Sequence, residues 1–567
     1  MIQLTEWVWT ARRSNQTVAV AVFMCPGERM RLRTSTTETA ERAEDGLESS
    51  SRPITVRPAA GGAVAVPAWA RWPVLAITAA VAAALGLTSG RYGYFGDELY
   101  FLASGRHLSW SYADQPPLIP LLARLMDTLF PDSVAALRLP TTVATAAGVI
   151  VASLIAREFG GGRRAQVLAA ATSAVSFGLL GSGHELSTYV IDSFGWTVIT
   201  WLLVRWVRTR QDRLLLASGL VTAVCLEIKD LVAVFWIVVA CAVLLVGPRD
   251  LLRRPLLWVG AGVAAVCSLP NLWWQAHHGW PELTMTQLVA AEQDLIGGRL
   301  TFVPLVLLYT GLPVGAVLFC YGIWRLLRSA ELAPYRFLGW TILGVLALFL
   351  VNNGRQSYVT GLFALATGAA VVELDRRQPA AWWRWTTTWP VYLLTAVIAV
   401  TMTLPLRPLS WDRGGLGSPV TALSTDWPEL SSAVADAVHT LPEGQRAGAV
   451  VLADTYWQAS ALDQFGPRYG LPKVYSGNRG FWYFGAPPDG SGPTVFLGSD
   501  ATALRRYFGN VRKVGSFHNP QGMPGINTGV SIWVCTGQRV AWSQMWPDLR
   551  DFDVNDRITP LYRRIAD

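Results

Sequence analysis

Residues 189–213, YVIDSFGWTVITWLLVRWVRTRQDR, decide how this 567-residue chain is built. The first part, 189–207, is an apolar run of the length that crosses a bilayer core as a helix at about 1.5 Å per residue. It ends among Arg205, Arg208, Arg210 and Arg213. Arginines at the exit of an apolar run mark its cytoplasmic end, since positive loops stay inside. A single carboxylate, Asp192, sits near the start of the run, where it is expensive unless paired or used.

The pattern recurs along the chain. About eleven runs of roughly 17 to 25 residues are long enough to span. They lie at approximately 71–90, 134–156, 165–182, 189–207, 214–228, 231–246, 255–272, 302–324, 336–352, 357–374 and 388–404. Arg157, Arg163 and Arg164 follow the second, Arg249, Arg253 and Arg254 the sixth, Arg325 and Arg328 the eighth, and Arg376, Arg377 and Arg384 the tenth. Every even-numbered exit is basic, which puts the N-terminus and the even loops in the cytoplasm and the odd loops and C-terminal segment outside. Composition agrees: 51% apolar and 15% charged residues describe a polytopic α-helical membrane protein rather than a soluble one. The formal charge of +8 does not indicate nucleic-acid binding, because the arginines are spent on these loops. The six cysteines form neither a disulfide framework nor a CxxC metal pattern.

Three regions follow. Residues 1–70 have little periodicity and read as a disordered cytoplasmic tail. Residues 71–404 are the transmembrane part. Residues 405–567 turn mixed and rich in Gly and Pro, with β-like runs at 449–452, 494–497 and 530–534 and helix-like stretches at 456–465 and 501–507, so an extracytoplasmic α/β domain is expected. Its aromatic stretch 475–485 serves equally well to stack on sugar rings or to pack onto the membrane part.

Charge parity also sorts the polar residues by side. The outer loops hold Asp97, Glu98 and Asp114 in 91–118, then His184 and Glu185 with Asp192 nearby, Lys229, His277 and His278, and Arg355 with Tyr358. A reaction at that surface cannot draw on cytoplasmic nucleotide, so its activated substrate must arrive in the lipid, as a sugar on a polyprenyl phosphate does. Such an enzyme needs a base for the acceptor hydroxyl, and cations or a metal on the phosphate leaving group. Asp97 is the candidate base, with Glu98 beside it; on a helix adjacent side chains diverge by about a hundred degrees, so one of them faces the site. Asp97 would equally cap a helix that starts after Gly96. Asp114, next to Gln115 and the stiff Pro116-Pro117 pair, suits a positioned ligand or a turn. Lys229 contacts phosphate or pairs with Asp230 or Glu227. His278 or His277 could bind a divalent metal with Asp114. Arg355 and Tyr358 grip a phosphate or anchor a helix end.

Several of these motifs, in this order, resemble bacterial glycosyltransferase family 39 proteins. They are Asp97-Glu98-Leu99-Tyr100, Asp114-Gln115-Pro116-Pro117-Leu118, Gly183-His184-Glu185-Leu186-Ser187 with Asp192, Lys229, and Trp274-Gln275-Ala276-His277-His278-Gly279-Trp280-Pro281. That family belongs to the GT-C superfamily, with protein O-mannosyltransferases and the aminoarabinose transferase of lipid A, and the outer-domain blocks look like an actinobacterial-type subgroup. The resemblance implies a polyprenyl-phosphate sugar donor drawn from the membrane lipid, an inverting transfer on the outer face to a protein or cell-wall glycan hydroxyl, and Asp97 as base. It implies donor contacts from Tyr100, Gln115, His184, Glu185, Asp192, Lys229, Arg355 and Tyr358, and a divalent metal at Asp114 and His278. Gln115 departs from the aminoarabinose branch, which has lysine there, and this shifts the phosphate contact toward Lys229 and Arg355. The rival readings are a transporter or lipid flippase, which needs ionisable groups near the bilayer midplane and an inverted repeat, and a non-catalytic sensor that binds through the external domain.

Overall fold

The computed structural model describes residues 66–377, 381–408, 423–520, 522 and 526–557. Most of the expected tail lies outside the described residues. Its last residues are tied down: the Ala70 amide donates to Gln166 Oε1 at 2.8 Å and Trp69 Nε1 to Ser153 Oγ at 3.2 Å.

Each expected apolar run coincides with helix, but not always with one spanning helix. Among the described residues six helices are long and apolar enough to cross a membrane: Arg71–Thr88 (α1), Leu139–Glu158, Thr188–Thr209, Pro255–His277, Ala333–Val351 and Gln356–Arg377. Three runs form shorter apolar helices, Arg213–Leu226, Leu231–Val246 and Trp389–Thr403. The run expected at 302–324 is a pair, Arg299–Thr310 and Val314–Arg328, bent by 106°. Gly311 makes the bend at φ +101°, where a Cβ would lie 2.6 Å from the Val175 carbonyl. The run expected at 165–182 is likewise broken, into Arg163–Ala174 and Phe177–Ser182, because the Ser176 hydroxyl accepts from Leu179 N and starts a new helix.

Between these helices the first loop carries a helix of its own, Gly96–Arg106 (α2). Its N-terminus is capped from within, the Phe95 amide donating to Glu98 Oε2 at 2.8 Å. Glu98 is fully buried and meets Arg138, the residue before helix Leu139–Glu158 (α3), in a two-pronged pair with both bonds at 2.8 Å. The Leu186 amide adds a third donor to Glu98 at 2.8 Å. At the far end of α3, Glu158 pairs with Arg208 at 2.6 Å and Arg205 at 3.8 Å. Arg205 and Arg208 of the fourth exit thus lie about 30 Å from Arg138, the length of a twenty-residue helix.

After residue 423 the chain forms helix Trp427–His439 (α4), strand Val450–Ala453 (β1), helix Tyr456–Phe465 (α5), and strands Val474–Tyr475 (β2), Thr494–Gly498 (β3), Phe508–Ser516 (β4) and Ser531–Gln538 (β5). The sheet order is β2-β1-β3-β5-β4, parallel across β2, β1 and β3 and antiparallel from β3 to β4. The strand at 508–516 was not expected. It is an edge strand whose polar residues Asn510, Arg512 and Lys513 hide the alternation, as exposed edges commonly do. The stretch at 501–507 holds only a short 3-10 turn, Ala503–Arg506. One apolar core joins Tyr94, Leu99, Phe101 and Leu102 to Trp427, Leu430, Val451, Leu462 and Val495, so the first loop and the sheet region share an interior.

Removing one partner of a buried ion pair strands the other charge, at about 3–5 kcal/mol. Glu98→Ala is expected to lower the thermal unfolding midpoint of the detergent-purified protein sharply, since it also removes the cap of α2. An unchanged midpoint would show the pair to be dispensable.

Candidate active site

Asp97 is the second residue of α2 and does not cap it. Its Oδ1 accepts from two donors, the Tyr456 hydroxyl at 2.8 Å and Trp457 Nε1 at 2.7 Å, both from the first turn of α5. Its other oxygen, Oδ2, has no hydrogen-bond partner among the described residues. Arg479 donates from Nη1 to the Tyr456 hydroxyl at 3.1 Å and from Nη2 to Glu292 Oε1 at 2.7 Å. Glu292, on helix Pro281–Asp294, also accepts from Arg355. A chain of polar contacts therefore runs from Asp97 through Tyr456, Arg479 and Glu292 to Arg355.

Beside it, Tyr100 donates to Asp114 Oδ1 at 2.9 Å, and its ring meets Tyr456 edge-on at 4.9 Å. The Lys229 ammonium makes no ion pair or hydrogen bond among the described residues and lies 5.0 Å from the centre of the Tyr358 ring. Gln115 is buried, and its amide nitrogen has no partner among the described residues.

The electrostatics of the cluster follow from burial. Burial pushes the Asp114 carboxyl above its ordinary range, with Arg479 and the Tyr100 hydroxyl pulling the other way. Glu185 is pushed up to about 8 by burial, against the hydrogen bond it accepts from Tyr189 at 2.7 Å. Burial and the facing Asp230 lift Glu282 to about 8. Burial works against the ionised form of Glu292 as well, but Arg355 and Arg479 together hold it below its usual range. For Arg479 burial opposes the charge, and the Tyr456 oxygen with the carboxylates of Glu292, Asp114 and Asp97 more than offsets it.

Several expected roles are corrected. Glu98 is a structural group, with both oxygens engaged by Arg138 and backbone amides. His184 is buried with Nε2 on the Thr88 carbonyl at 2.9 Å, so it fastens the end of α1. Asp192 is buried inside Thr188–Thr209 and accepts from Trp196 Nε1 at 3.2 Å on its own helix. The pairing of Asp114 and His278 on a metal does not fit. Among the described residues no three His, Cys, Asp or Glu side chains are grouped to hold an ion. His278 Nδ1 lies 2.7 Å from the Trp274 carbonyl, and its ring stacks on Trp274 at 3.9 Å between centroids. The aromatic stretch 475–485 packs onto the first loop and the 271–281 segment: Phe484 stacks on His107, Phe481 lies against Tyr100, and Tyr483 against Trp274 and His278. Sequence reasoning missed Tyr456, Trp457, Arg479 and Glu292. Gly96 and Gly480 were the available signals. A Cβ on Gly96 would lie 2.7 Å from the Trp457 ring, and one on Gly480 would lie 2.0 Å from the Tyr100 hydroxyl.

An acid whose folded value is raised keeps its proton in the folded state while the unfolded chain ionises near its ordinary 4.5. The unfolded state then binds fewer protons between about 4.5 and about 8, so Glu185 withdraws stability as pH rises through that window. Glu185→Gln is expected to lack this share of the loss, with a thermal midpoint that gains on wild type up to about pH 8 and runs parallel above it. A constant difference at all pH values would contradict the assignment.

The family described as dolichyl-phosphate-mannose-protein mannosyltransferase matches residues 114–274. No curated protein matches the chain. Among solved structures, ArnT from Cupriavidus metallidurans in the apo state is 15% identical over 81% of this chain and 97% of its own, with a TM-score of 0.55. The same protein bound to undecaprenyl phosphate gives 15% identity, the same coverage and a TM-score of 0.53. The mycobacterial arabinofuranosyltransferase AftD is 14% identical over 84% of this chain and 40% of its own, at a TM-score of 0.46. Residues 114–274 therefore match the mannosyltransferase family model, and the chain shares the ArnT fold over 81% of its own length and 97% of that protein's.

Proposed function

We propose that the chain is an integral membrane glycosyltransferase that moves a sugar from a polyprenyl-phosphate donor to an acceptor hydroxyl on the outer face of the membrane, with inversion. The observation that carries this reading is the state of Asp97: one carboxylate oxygen is held by two donors, and the other is open in a cluster that contains Arg355, Arg479 and Lys229. The acceptor oxygen attacks the anomeric carbon as Asp97 Oδ2 takes its proton, and the bond from that carbon to the phosphate oxygen breaks in the same displacement. The polyprenyl phosphate leaves with the electron pair. Lys229 and Arg355 face the charge that develops on it, where fixed cations act most strongly. The buried Gln115 amide, lacking a partner, supplies a neutral donor where the resemblance called for a lysine. No step runs through a metal, because the donors present do not form a site for one.

The class of donor is supported by the names of the similar proteins, one solved with undecaprenyl phosphate and one family named for a dolichyl-phosphate sugar. The outer face is supported by the arginines of the even exits, two of which, Arg205 and Arg208, pair with Glu158 at the other end of α3.

In native membranes, Asp97→Asn is expected to abolish release of free polyprenyl phosphate, the leaving group whatever the sugar, while thermal stability stays near wild type. Full release by that variant would overturn the reading. Lys229→Met is expected to raise the KM for the lipid donor by about 10- to 100-fold, the worth of a hydrogen bond to a charged group, with kcat less affected. Donor-lipid titration of purified protein measures this.

A further inference from the structure

We propose that the C-terminal region is part of the catalytic apparatus, with Tyr456 and Trp457 as positioning residues that fix the Asp97 carboxylate and Arg479 as the residue that commits the Tyr456 proton to it. This deepens the proposed function and rests on Asp97 being the base.

The direction of each hydrogen bond follows from the chemistry of its partners. An indole N–H can only donate, so Trp457 must give its proton to Asp97 Oδ1 at 2.7 Å. A guanidinium can only donate, so the Tyr456 oxygen accepts from Arg479 at 3.1 Å, and the phenol proton goes to the same Oδ1 at 2.8 Å. Two donors on one oxygen fix the plane of the carboxylate and leave Oδ2 as the oxygen that can take a proton. The rigidity continues behind them. The start of α5 is closed by a reciprocal cap, Gln458 N donating to Thr455 Oγ1 at 3.3 Å and Thr455 N to Gln458 Oε1 at 3.4 Å. The Tyr456 amide donates to Asn478 Oδ1 at 3.1 Å. Arg479 itself sits at φ +47° and ψ −132°, a costly backbone state for a residue with a side chain, held by the bond from its amide to the Asp551 carbonyl at 2.8 Å. Gly96 and Gly480 let the two regions approach, since a side chain on either would strike Trp457 or Tyr100. Packing alone requires shape; it does not require two proton donors aimed at a single oxygen.

The test compares full-length wild type with Tyr456→Phe and Trp457→Phe, each of which keeps an aromatic ring and removes one donor. The assay is release of polyprenyl phosphate in native membranes across pH, with thermal stability measured in parallel. The expected result is a drop in kcat of about 10- to 100-fold with the donor KM within about twofold, as for lost general-base positioning. The acid limb of the rate profile is expected to move to higher pH, because a hydrogen bond donated to a carboxylate favours its ionised form. Arg355, Arg479, Asp114, Glu185 and Tyr456 are the charged or titratable groups that interact with Asp97, and both variants leave every charge among them in place. If a ring exchange destabilises the protein, Arg479→Lys takes its place: it keeps the charge but removes the planar fork whose two nitrogens serve Tyr456 and Glu292 separately, and it should shift the same limb. Wild-type kcat and acid limb in all these variants, with Asp97→Asn inactive, would overturn this inference and leave the proposed function standing. An active Asp97→Asn would remove both.

Discussion

Everything around Asp97 depends on the pair between Glu98 and Arg138. Arg138 also donates to the Ser89 carbonyl at 2.6 Å and the Gly93 carbonyl at 2.8 Å, while Glu98 collects the amides of Phe95 and Leu186. Four separate pieces of chain therefore meet at one ion pair: the end of α1, the start of α2, the start of α3 and the loop before Thr188–Thr209. Two buried charges are expensive, and only a site that satisfies nearly all of their hydrogen bonds offsets the cost. Here nearly all are satisfied. The neighbouring carboxylate in the sequence is thereby turned to the other side of the helix, toward α5.

That division between adjacent acids marks the limit of what could be read in advance. The doublet at 97–98, the alternation of basic exits and the apolar run lengths were all visible because each is a local pattern. Which member of the doublet is buried in an ion pair depends on Arg138, forty residues away, to which no local pattern ties it. The donor contacts expected of His184 and Asp192 came from a local pattern of the same kind. A polar side chain among apolar ones reads as functional, whereas these two are satisfied by a backbone carbonyl and by an indole one turn away. The broken runs at 165–182 and 302–324 escaped because hydropathy does not register a serine cap or a glycine in left-handed geometry.

The cluster that includes Tyr456, Arg479 and Glu292 was out of reach on different grounds. Glu292 and Arg479 are 187 residues apart, and Asp97 and Tyr456 are 359 apart. No periodicity spans such distances. The strands at 450–453 and 494–498 were recognisable as short β-branched runs, but nothing in them says against which loop the sheet packs. The shared core answers that, with Leu99 and Phe101 on one side and Leu430 and Leu462 on the other. The basic exits are simpler and were foreseen as arginine clusters, although the pairs of Arg208 with Glu158 and of Arg325 with Glu373 show that they also tie neighbouring helices together.

The shared core also governs when the protein can work. A chain emerging from the ribosome delivers Asp97 early, but the groups that orient it are made some 360 residues later, at about 5–20 residues per second. Throughout that interval the first loop lacks the apolar surface it is meant to cover, and Asp97 lacks both donors. The arrangement around Asp97 is thus complete only once the last quarter of the chain has folded back onto the first loop.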